Sequence, residues 1–225
     1  MTAHEPKTLT HVFAGGDQTF CFEQETLAAG SGSDNVVDVG TVLGRITRGA
    51  VTVGNGGFVG TGNGTLTKAN PAASADAQAG DYKIVCVEKT TDSGLFAVRR
   101  PDGTIDGYAV PGTPYTGQVK FSLADGATDF AQGDTFTLPV TVAAGSTKIV
   151  PLNLSATDGS QIVAGVSLQK KVATDGGADL PLLALVRGPS IAREQGLVWP
   201  VGATDDQKAA GLAQLNKLGI IVRAS

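Results

Sequence analysis

The middle of the chain contains short runs in which apolar and polar residues alternate, and these runs predict β-strands. They cover residues 81–89, 94–99, 119–123 and 135–142. Asp-Gly and Gly-Asp pairs lie between them, and such pairs are common turn signals. Evenly spaced short strands with turns between them favour a small β-sandwich, an Ig-like domain or a barrel.

Strand patterns continue on both sides of this block. Residues 36–47 predict strands broken at Gly40 and Gly44, because alternating apolar positions are interrupted there by glycine. Residues 163–168 and 180–187 predict two further strands after the block. The alternation therefore extends over most of the chain.

One helix is predicted, near the C-terminus. Thr204 and Gln207 have the spacing of a capping box, Asp205 follows at the positive end of the helix dipole, and Gly219 is a suitable C-terminal cap. Three leucines would form its apolar face: Leu212, Leu215 and Leu218. With a final strand at residues 220–222, the chain is predicted to be mainly β with one C-terminal helix, an α+β fold.

A glycine- and asparagine-rich tract at residues 54–64 marks a change in composition and predicts a linker or an ordered, turn-rich entry into a new module. We therefore expect three parts. Residues 1–18 form an N-terminal arm, residues 19–49 and 149–225 together form one discontinuous domain, and residues 50–148 form an inserted β-rich domain.

The N-terminal arm is polar and contains both histidines, and it precedes the first predicted strand at residues 19–23. Its central segment is rich in β-formers and lies outside any obvious hairpin: Thr8, Leu9, Thr10, His11, Val12 and Phe13. This pattern predicts a flexible segment that is free to pair with a strand of another chain. A frayed terminus is the alternative.

Composition and charge narrow the class of partner. With 41% hydrophobic and 17% charged residues the chain is typical of a folded protein, and its net charge of −4 provides no basic field for nucleic acid. The longest strongly apolar stretch, residues 180–186, is far shorter than the roughly 20 residues of a membrane span. We expect a protein surface as the partner, no nucleic acid, no membrane and no export signal.

No catalytic or metal-binding pattern is recognisable. The glycine tract never becomes a phosphate-binding loop, and both histidines lie in the arm, which disfavours a catalytic triad. Asp102 and Asp106 fit turns better than a calcium loop, and Cys21 and Cys86 are expected to be buried thiols. We therefore predict no enzyme, no cofactor and no metal.

The single tryptophan, Trp199, lies just before the predicted helix and is followed by Pro200. A large ring at such a position usually anchors the core or a contact between subunits. The pattern leaves both roles open for Leu197, Trp199 and Pro200.

The residues flanking the insert resemble the lambda-type bacteriophage head decoration family. The most specific motif is Leu-Val-Trp-Pro at 197–200. Further similar segments are Thr-Leu-Ala-Ala-Gly at 26–30, Gly-Thr-Val-Leu-Gly-Arg-Ile-Thr at 40–47, Asp-Gly-Ser-Gln at 158–161 and Leu-Gly-Ile-Ile-Val-Arg at 218–223. The resemblance covers about residues 19–48 and 149–223.

The resemblance implies a structural cement protein rather than an enzyme. Members of the family bind the outer surface of the expanded capsid as trimers at threefold and quasi-threefold positions, and an N-terminal arm adds a strand to the major capsid protein. By this resemblance the chain is made in the bacterial cytoplasm and ends on the outside of the virion, as a homotrimer that stabilises the capsid.

The sequence departs from the family pattern at the insert, where about 100 residues separate segments that usually follow one another. An alternative function is therefore a virion surface module whose insert recognises host glycans or another virion protein. Phe58, Tyr108 and Tyr115 are the aromatic candidates for such a site. A hydrolase would need paired carboxylates in a cleft, and the pattern offers only scattered turn aspartates.

Overall fold

The computed structural model describes residues 8–224. These residues form two compact units. The first consists of residues 8–48 and 145–224, and the second of Gly49–Ala144.

The first unit is built from two stretches of chain. Its N-terminal stretch contains α1 (Leu9–Val12), β1 (Phe13–Gly16), α2 (Gln18–Cys21), β2 (Phe22–Leu27), β3 (Asn35–Val37) and β4 (Val42–Arg45). The second unit follows, with β5 (Arg48–Val53), β6 (Gly57–Val59), β7 (Thr65–Ala73), β8 (Gly80–Thr90), β9 (Ser93–Arg99), β10 (Ile105–Ala109), β11 (Tyr115–Thr116), β12 (Val119–Ala124) and β13 (Thr135–Ala144). The first unit then resumes with β14 (Ile149–Pro151), β15 (Val163–Ser167), β16 (Lys171–Ala173), β17 (Leu180–Leu185), β18 (Ser190–Arg193), a 3₁₀ turn (Glu194–Gly196), α3 (Asp205–Lys217) and β19 (Ile220–Arg223).

The centre of the first unit is a closed barrel with the strand order β14-β2-β17-β15-β4. Its longest ladder is antiparallel and pairs Leu180–Leu185 with Phe22–Leu27. Leu27, Leu43 and Leu182 are fully buried inside it, since successive side chains of a strand point to opposite faces. Closure leaves few free strand edges in this part of the molecule.

A second layer of the first unit contains the sheet β1-β18-β19 and the helix α3. β18 and β19 run parallel, whereas β1 and β18 run antiparallel. Leu215 of α3 and Ile220 of β19 are fully buried in the core that this layer shares with the barrel.

The second unit consists of two sheets that enclose one hydrophobic core. The larger has the order β10-β9-β8-β13-β5, with β6 also paired to β13, and the smaller has the order β11-β12-β7. Tyr82 and Ile84 of β8 are buried while Asp81 and Lys83 are exposed, which is the alternation recognised in the sequence. Phe96, Phe121 and Phe130 are among its largest buried side chains.

The predicted fold class, mainly β with one C-terminal helix, is confirmed. The helix begins as expected: Thr204 and Gln207 form a capping box, with hydrogen bonds of 2.9 and 3.2 Å between each backbone N–H and the other's side chain. Gly219 follows the helix with φ of +81°, a conformation that favours glycine. β19 returns to a sheet, as predicted.

Three local predictions are wrong. The strand predicted at residues 19–23 begins only at Phe22, because residues 18–21 form the short helix α2, which Asp17 caps by accepting a hydrogen bond from the Thr19 backbone N–H at 2.9 Å. Gly44 does not break a strand but lies inside β4, where a side chain would meet the Ser160 backbone. Asp106 lies within β10 rather than in a turn, because its buried carboxylate binds Arg100 at 2.7 Å.

Candidate functional site

The N-terminal segment corrects the expectation of an extended, unpaired strand at Thr8, Leu9, Thr10, His11, Val12 and Phe13. Leu9–Val12 is helical, and Phe13–Gly16 pairs antiparallel with β18. Val12 is fully buried, and the Phe13 ring packs edge-on against Phe22 with centroids 4.9 Å apart. Residues 1–7 of the predicted arm lie outside the described residues.

Close backbone packing explains why residues 8–13 lie against the first unit. Gly196 lies against it, and a Cβ there would be 2.9 Å from the Val12 Cα and equally close to the His11 carbonyl carbon. The Thr8 hydroxyl lies 2.8 Å from Nδ1 of His11 and closes the turn. The sequence signals here are weak because the helix is only four residues long and depends on this distant glycine. Thr8, Thr10 and His11 remain exposed.

The Leu-Val-Trp-Pro segment is held by backbone hydrogen bonds to the start of β4. The Val198 N–H donates to Gly40 O at 2.8 Å, and its carbonyl accepts from Val42 at 3.0 Å. Leu197 is buried, whereas Trp199 and Pro200 are half-buried. The Trp199 ring covers Gly211 of α3 so closely that a Cβ there would lie 2.6 Å from Cη2. These three residues therefore pack against the first unit and still present part of their surface.

A groove of about 700 Å³ lies beside this segment in the first unit. It is lined by stretches within residues 28–35, 150–155 and 200–203, and the fully exposed Val201 forms part of its wall. Asp158 also lines it, and its carboxylate accepts from the Ser160 backbone N–H and hydroxyl at 2.9 and 2.6 Å. A carboxylate engaged in its own turn is poorly suited to acid-base chemistry, so the groove is better suited to binding.

The three aromatic candidates of the second unit have different surroundings. Tyr108 of β10 is 56% exposed. Tyr115 is half-buried, and its hydroxyl donates to Asp106 at 2.8 Å, so burial and this hydrogen bond raise the pKa of the phenol. Phe58 is half-buried against the core, with its ring centroid 4.6 Å from that of Phe136. The ring contacts of Tyr115 and Phe58 are with core rings, Phe121 for Tyr115 and Phe130 and Phe136 for Phe58.

Sequence reasoning considered Asp102 and Asp106 as metal ligands, but the structure brings a different set together. Asp92, Asp125 and Asp129 each place a carboxylate oxygen within 4.8 Å of the others. Oxygen donors of this kind suit a hard cation such as Ca²⁺. Surface aspartates also cluster without an ion, so this geometry alone assigns no metal. Asp125 and Asp129 lie in the loop between β12 and β13, whereas Asp92 lies in the turn between β8 and β9, so the set is assembled only by the fold.

The glycine tract at 54–64 is organised around a buried acid. The Asp134 carboxylate accepts backbone hydrogen bonds from Thr61, Gly62 and Ala131 at 2.9–3.0 Å. Burial disfavours the charged carboxylate and would raise its pKa, but the hydrogen bonds from these donors stabilise the charged form more strongly. The pKa of Asp134 therefore lies below its ordinary value. The tract is therefore ordered, with β6 followed by a loop that Asp134 holds, which is the second of the two alternatives left open by the sequence.

Cys21 and Cys86 are buried free thiols, as predicted. None of the helices within residues 8–224 is long and apolar enough to cross a membrane.

The chain was compared with models of known protein families. Residues 2–220 match the family model described as Bacteriophage lambda head decoration protein D. No curated protein and no solved structure matches the chain significantly.

Proposed function

Because the chain belongs to the bacteriophage lambda head decoration family, we propose that it binds the outer surface of the expanded capsid as a homotrimer and stabilises it. The proposed positions are the threefold and quasi-threefold sites of the lattice. The family match over residues 2–220 is the observation that carries this proposal.

The resemblance recognised in the sequence is confirmed at the level of the family. The family consists of structural proteins of the phage head rather than enzymes, and its place is the exterior of the virion capsid. The major capsid protein is the proposed partner. The net charge of −4 supports a protein partner over nucleic acid.

The folded N-terminal segment changes how the capsid contact is proposed. If residues 8–13 paired as a strand with the capsid, four backbone hydrogen bonds would contribute about 4 kcal/mol. The segment would first have to unfold α1, and exposing Val12 alone costs about 1.5–3 kcal/mol. The remainder falls short of the roughly 4 kcal/mol that a millimolar Kd requires. Strand addition by these six residues is therefore disfavoured.

We place the contact instead on residues 2–7 together with the exposed side chains of Thr8, Thr10 and His11. In this arrangement the folded segment serves as a fixed base, so less conformational entropy is lost on binding. Three copies on one trimer would each contribute a weak contact, and the second and third would bind at a raised effective concentration.

The groove beside Val201 and the half-buried Trp199 and Pro200 is the proposed contact between subunits of the trimer. An exposed apolar side chain beside a concave surface is the kind of feature that an interface covers. Binding only to the expanded lattice would stabilise that lattice by mass action, so no chemistry is required.

The test is a decoration assay on expanded capsids that lack the protein. The purified chain is mixed with expanded and unexpanded capsids, sedimented, and counted per capsid by quantitative gel analysis. We expect saturation at three copies per threefold site on expanded capsids only, a raised capsid melting temperature, and density at those sites in a virion map. An absence of binding to expanded capsids would reject the proposal.

A variant that lacks residues 2–7 tests the contact separately. It leaves α1 and β1 in place, whereas deletion of residues 2–18 would also remove buried Val12 and confound binding with folding. The matched control carries residues 2–7 in scrambled order. We expect reduced occupancy for the deletion. Equal occupancy of the deletion and the complete chain would exclude a contact by residues 2–7.

A further inference from the structure

The second unit contains a groove of about 630 Å³ at the open side of its two sheets. One wall is formed by β6 with the neighbouring part of β13, and the other by β7. β6 is only three residues long, and β7 is the terminal strand of its sheet, so the sheets do not close over each other here. The volume lies within the usual range of small-ligand sites.

The floor of the groove is apolar and contains an aromatic ring. Phe58, Leu66 and Leu138 line it, and all three pack against the core of the unit. Asn55 also lines it and contributes an amide group, and Thr67 contributes backbone between Leu66 and Lys68. An apolar floor with a few polar groups around it is the usual composition of a site for a small organic ligand.

Lys68 places a positive charge at one end of this groove. It lies on the same face of β7 as Leu66, because the two pair with the buried Phe121 and Leu123 of β12. Its ammonium reaches across to the other wall and donates to Val53 O, Gly54 O and Asn55 Oδ1 at 3.1, 3.1 and 3.2 Å. These three neutral acceptors use the three N–H groups of the ammonium but do not cancel its charge, so a ligand anion would be attracted by that charge rather than by a further hydrogen bond. Within residues 8–224, no salt bridge includes Lys68.

The charge and the shape together select the ligand. Pairing of a ligand strand with the edge of β7 is disfavoured. β7 contains Lys68 and also Pro71, which lacks a backbone N–H, and both residue types reduce strand pairing at a sheet edge. A small inorganic anion would leave most of the groove unfilled. A pyranose ring has an apolar C–H face for Phe58, hydroxyl groups for the polar wall and, when oxidised to a uronic acid, a carboxylate for Lys68.

We propose that this groove binds a carboxylate-bearing sugar, such as a uronic acid unit of an acidic cell-surface polysaccharide. The site lies wholly within the second unit and is independent of the capsid contact proposed above. Capsid decoration and sugar binding can therefore fail separately.

The test uses the full chain with D-glucuronate, D-glucose and acetate as probes. Binding is followed by saturation-transfer NMR and by titration of the methyl signals of Leu66 and Leu138. We expect glucuronate to bind about five-fold more tightly than glucose, the magnitude of one exposed ion pair, and this preference to fall with added salt. The methyl signals of Leu66 and Leu138 should shift, whereas that of the buried Leu123 outside the groove should not.

Lys68→Gln should abolish the preference for glucuronate over glucose, because it removes the charge and keeps a hydrogen-bonding side chain. Lys83→Gln, an exposed lysine of the same unit that does not line the groove, is the matched control and should behave as the unmodified protein. Thermal unfolding checks that both variants are folded. If Lys68→Gln is unfolded, the methyl titration of the unmodified protein decides.

Three results would overturn the proposal. They are equal binding of glucose and glucuronate, an unchanged preference in folded Lys68→Gln, and methyl shifts that occur only outside the groove. Acetate that competes as well as glucuronate would show a nonspecific anion contact only, and this also rejects a sugar site.

Discussion

Gly196→Ala is expected to destabilise the first unit by releasing the N-terminal segment. The new Cβ would lie 2.9 Å from the Val12 Cα and from the His11 carbonyl carbon, distances that real Cβ atoms do not show. These are backbone atoms, so they cannot rotate away. Either the 3₁₀ turn or α1 must move. The 3₁₀ turn leads directly into Val198, whose backbone is hydrogen-bonded to Gly40 and Val42, so we expect α1 to be the element that detaches.

The magnitude follows from what α1 buries. Detaching it exposes Val12, which costs about 1.5–3 kcal/mol, and Leu9 adds to this because it is partly buried in the same cluster. The usual gain from replacing glycine by alanine offsets less than about 1 kcal/mol. We expect a net loss of about 2–3 kcal/mol in the free energy of unfolding of the first unit.

Trp199 makes this loss measurable in a chain with two units. It is the only tryptophan and lies in the first unit, so its fluorescence reports the urea unfolding of that unit. A loss of 2–3 kcal/mol would lower the midpoint by about 1 M. Gly15→Ala is the control, since its Cβ would meet only Ile191 Cδ1 at 3.9 Å. A midpoint for Gly196→Ala equal to that of the control would refute the packing argument.

The same variant distinguishes the two modes of capsid contact. If residues 8–13 had to unfold in order to add a strand to the capsid, Gly196→Ala would remove that cost and increase occupancy. If the folded segment is the fixed base of the contact, occupancy should fall. Higher occupancy on expanded capsids would therefore restore the strand-addition mode.

Three further predictions concern the units separately. Replacing residues 49–144 by a short turn should leave the first unit folded. The Gly145 N–H donates to Thr47 O at 3.1 Å, so the chain leaves and re-enters this unit at adjacent points. Loss of the cooperative unfolding transition detected by tryptophan fluorescence would contradict this prediction. The pKa of Asp134 is lowered on folding, so its contribution is present above its ordinary value of 3.8 and is lost as pH falls through the folded value. Asp134→Asn should therefore flatten the acid dependence of second-unit stability, measured by hydrogen exchange, and an unchanged acid dependence would count against that assignment. Gln214→Ala removes the acceptor, at 2.7 Å, of a buried β15 backbone N–H and should cost about 1–3 kcal/mol in tryptophan-detected unfolding, whereas no loss would show that another acceptor replaces it.

Local signals in the sequence determined several elements and the family. The capping box of Thr204 and Gln207 acts within one helical turn, and the alternation around Tyr82 reflects the two faces of a single strand. Both are short-range effects, so they are visible without the fold. The Leu-Val-Trp-Pro motif at 197–200 likewise carried the family resemblance that the family model confirms.

The candidate surfaces were decided by contacts between residues far apart in sequence. Residues 8–13 look like a strand by composition, but Leu9–Val12 form a helix because Val12 is buried against Gly196, nearly two hundred positions away. Propensity is weak over four residues, and tertiary burial outweighs it. The charged groove similarly exists because two sheets place Lys68 opposite Asn55 and Phe58. Sequence patterns record which face of an element is apolar, whereas only the tertiary structure decides which faces meet and which remain open.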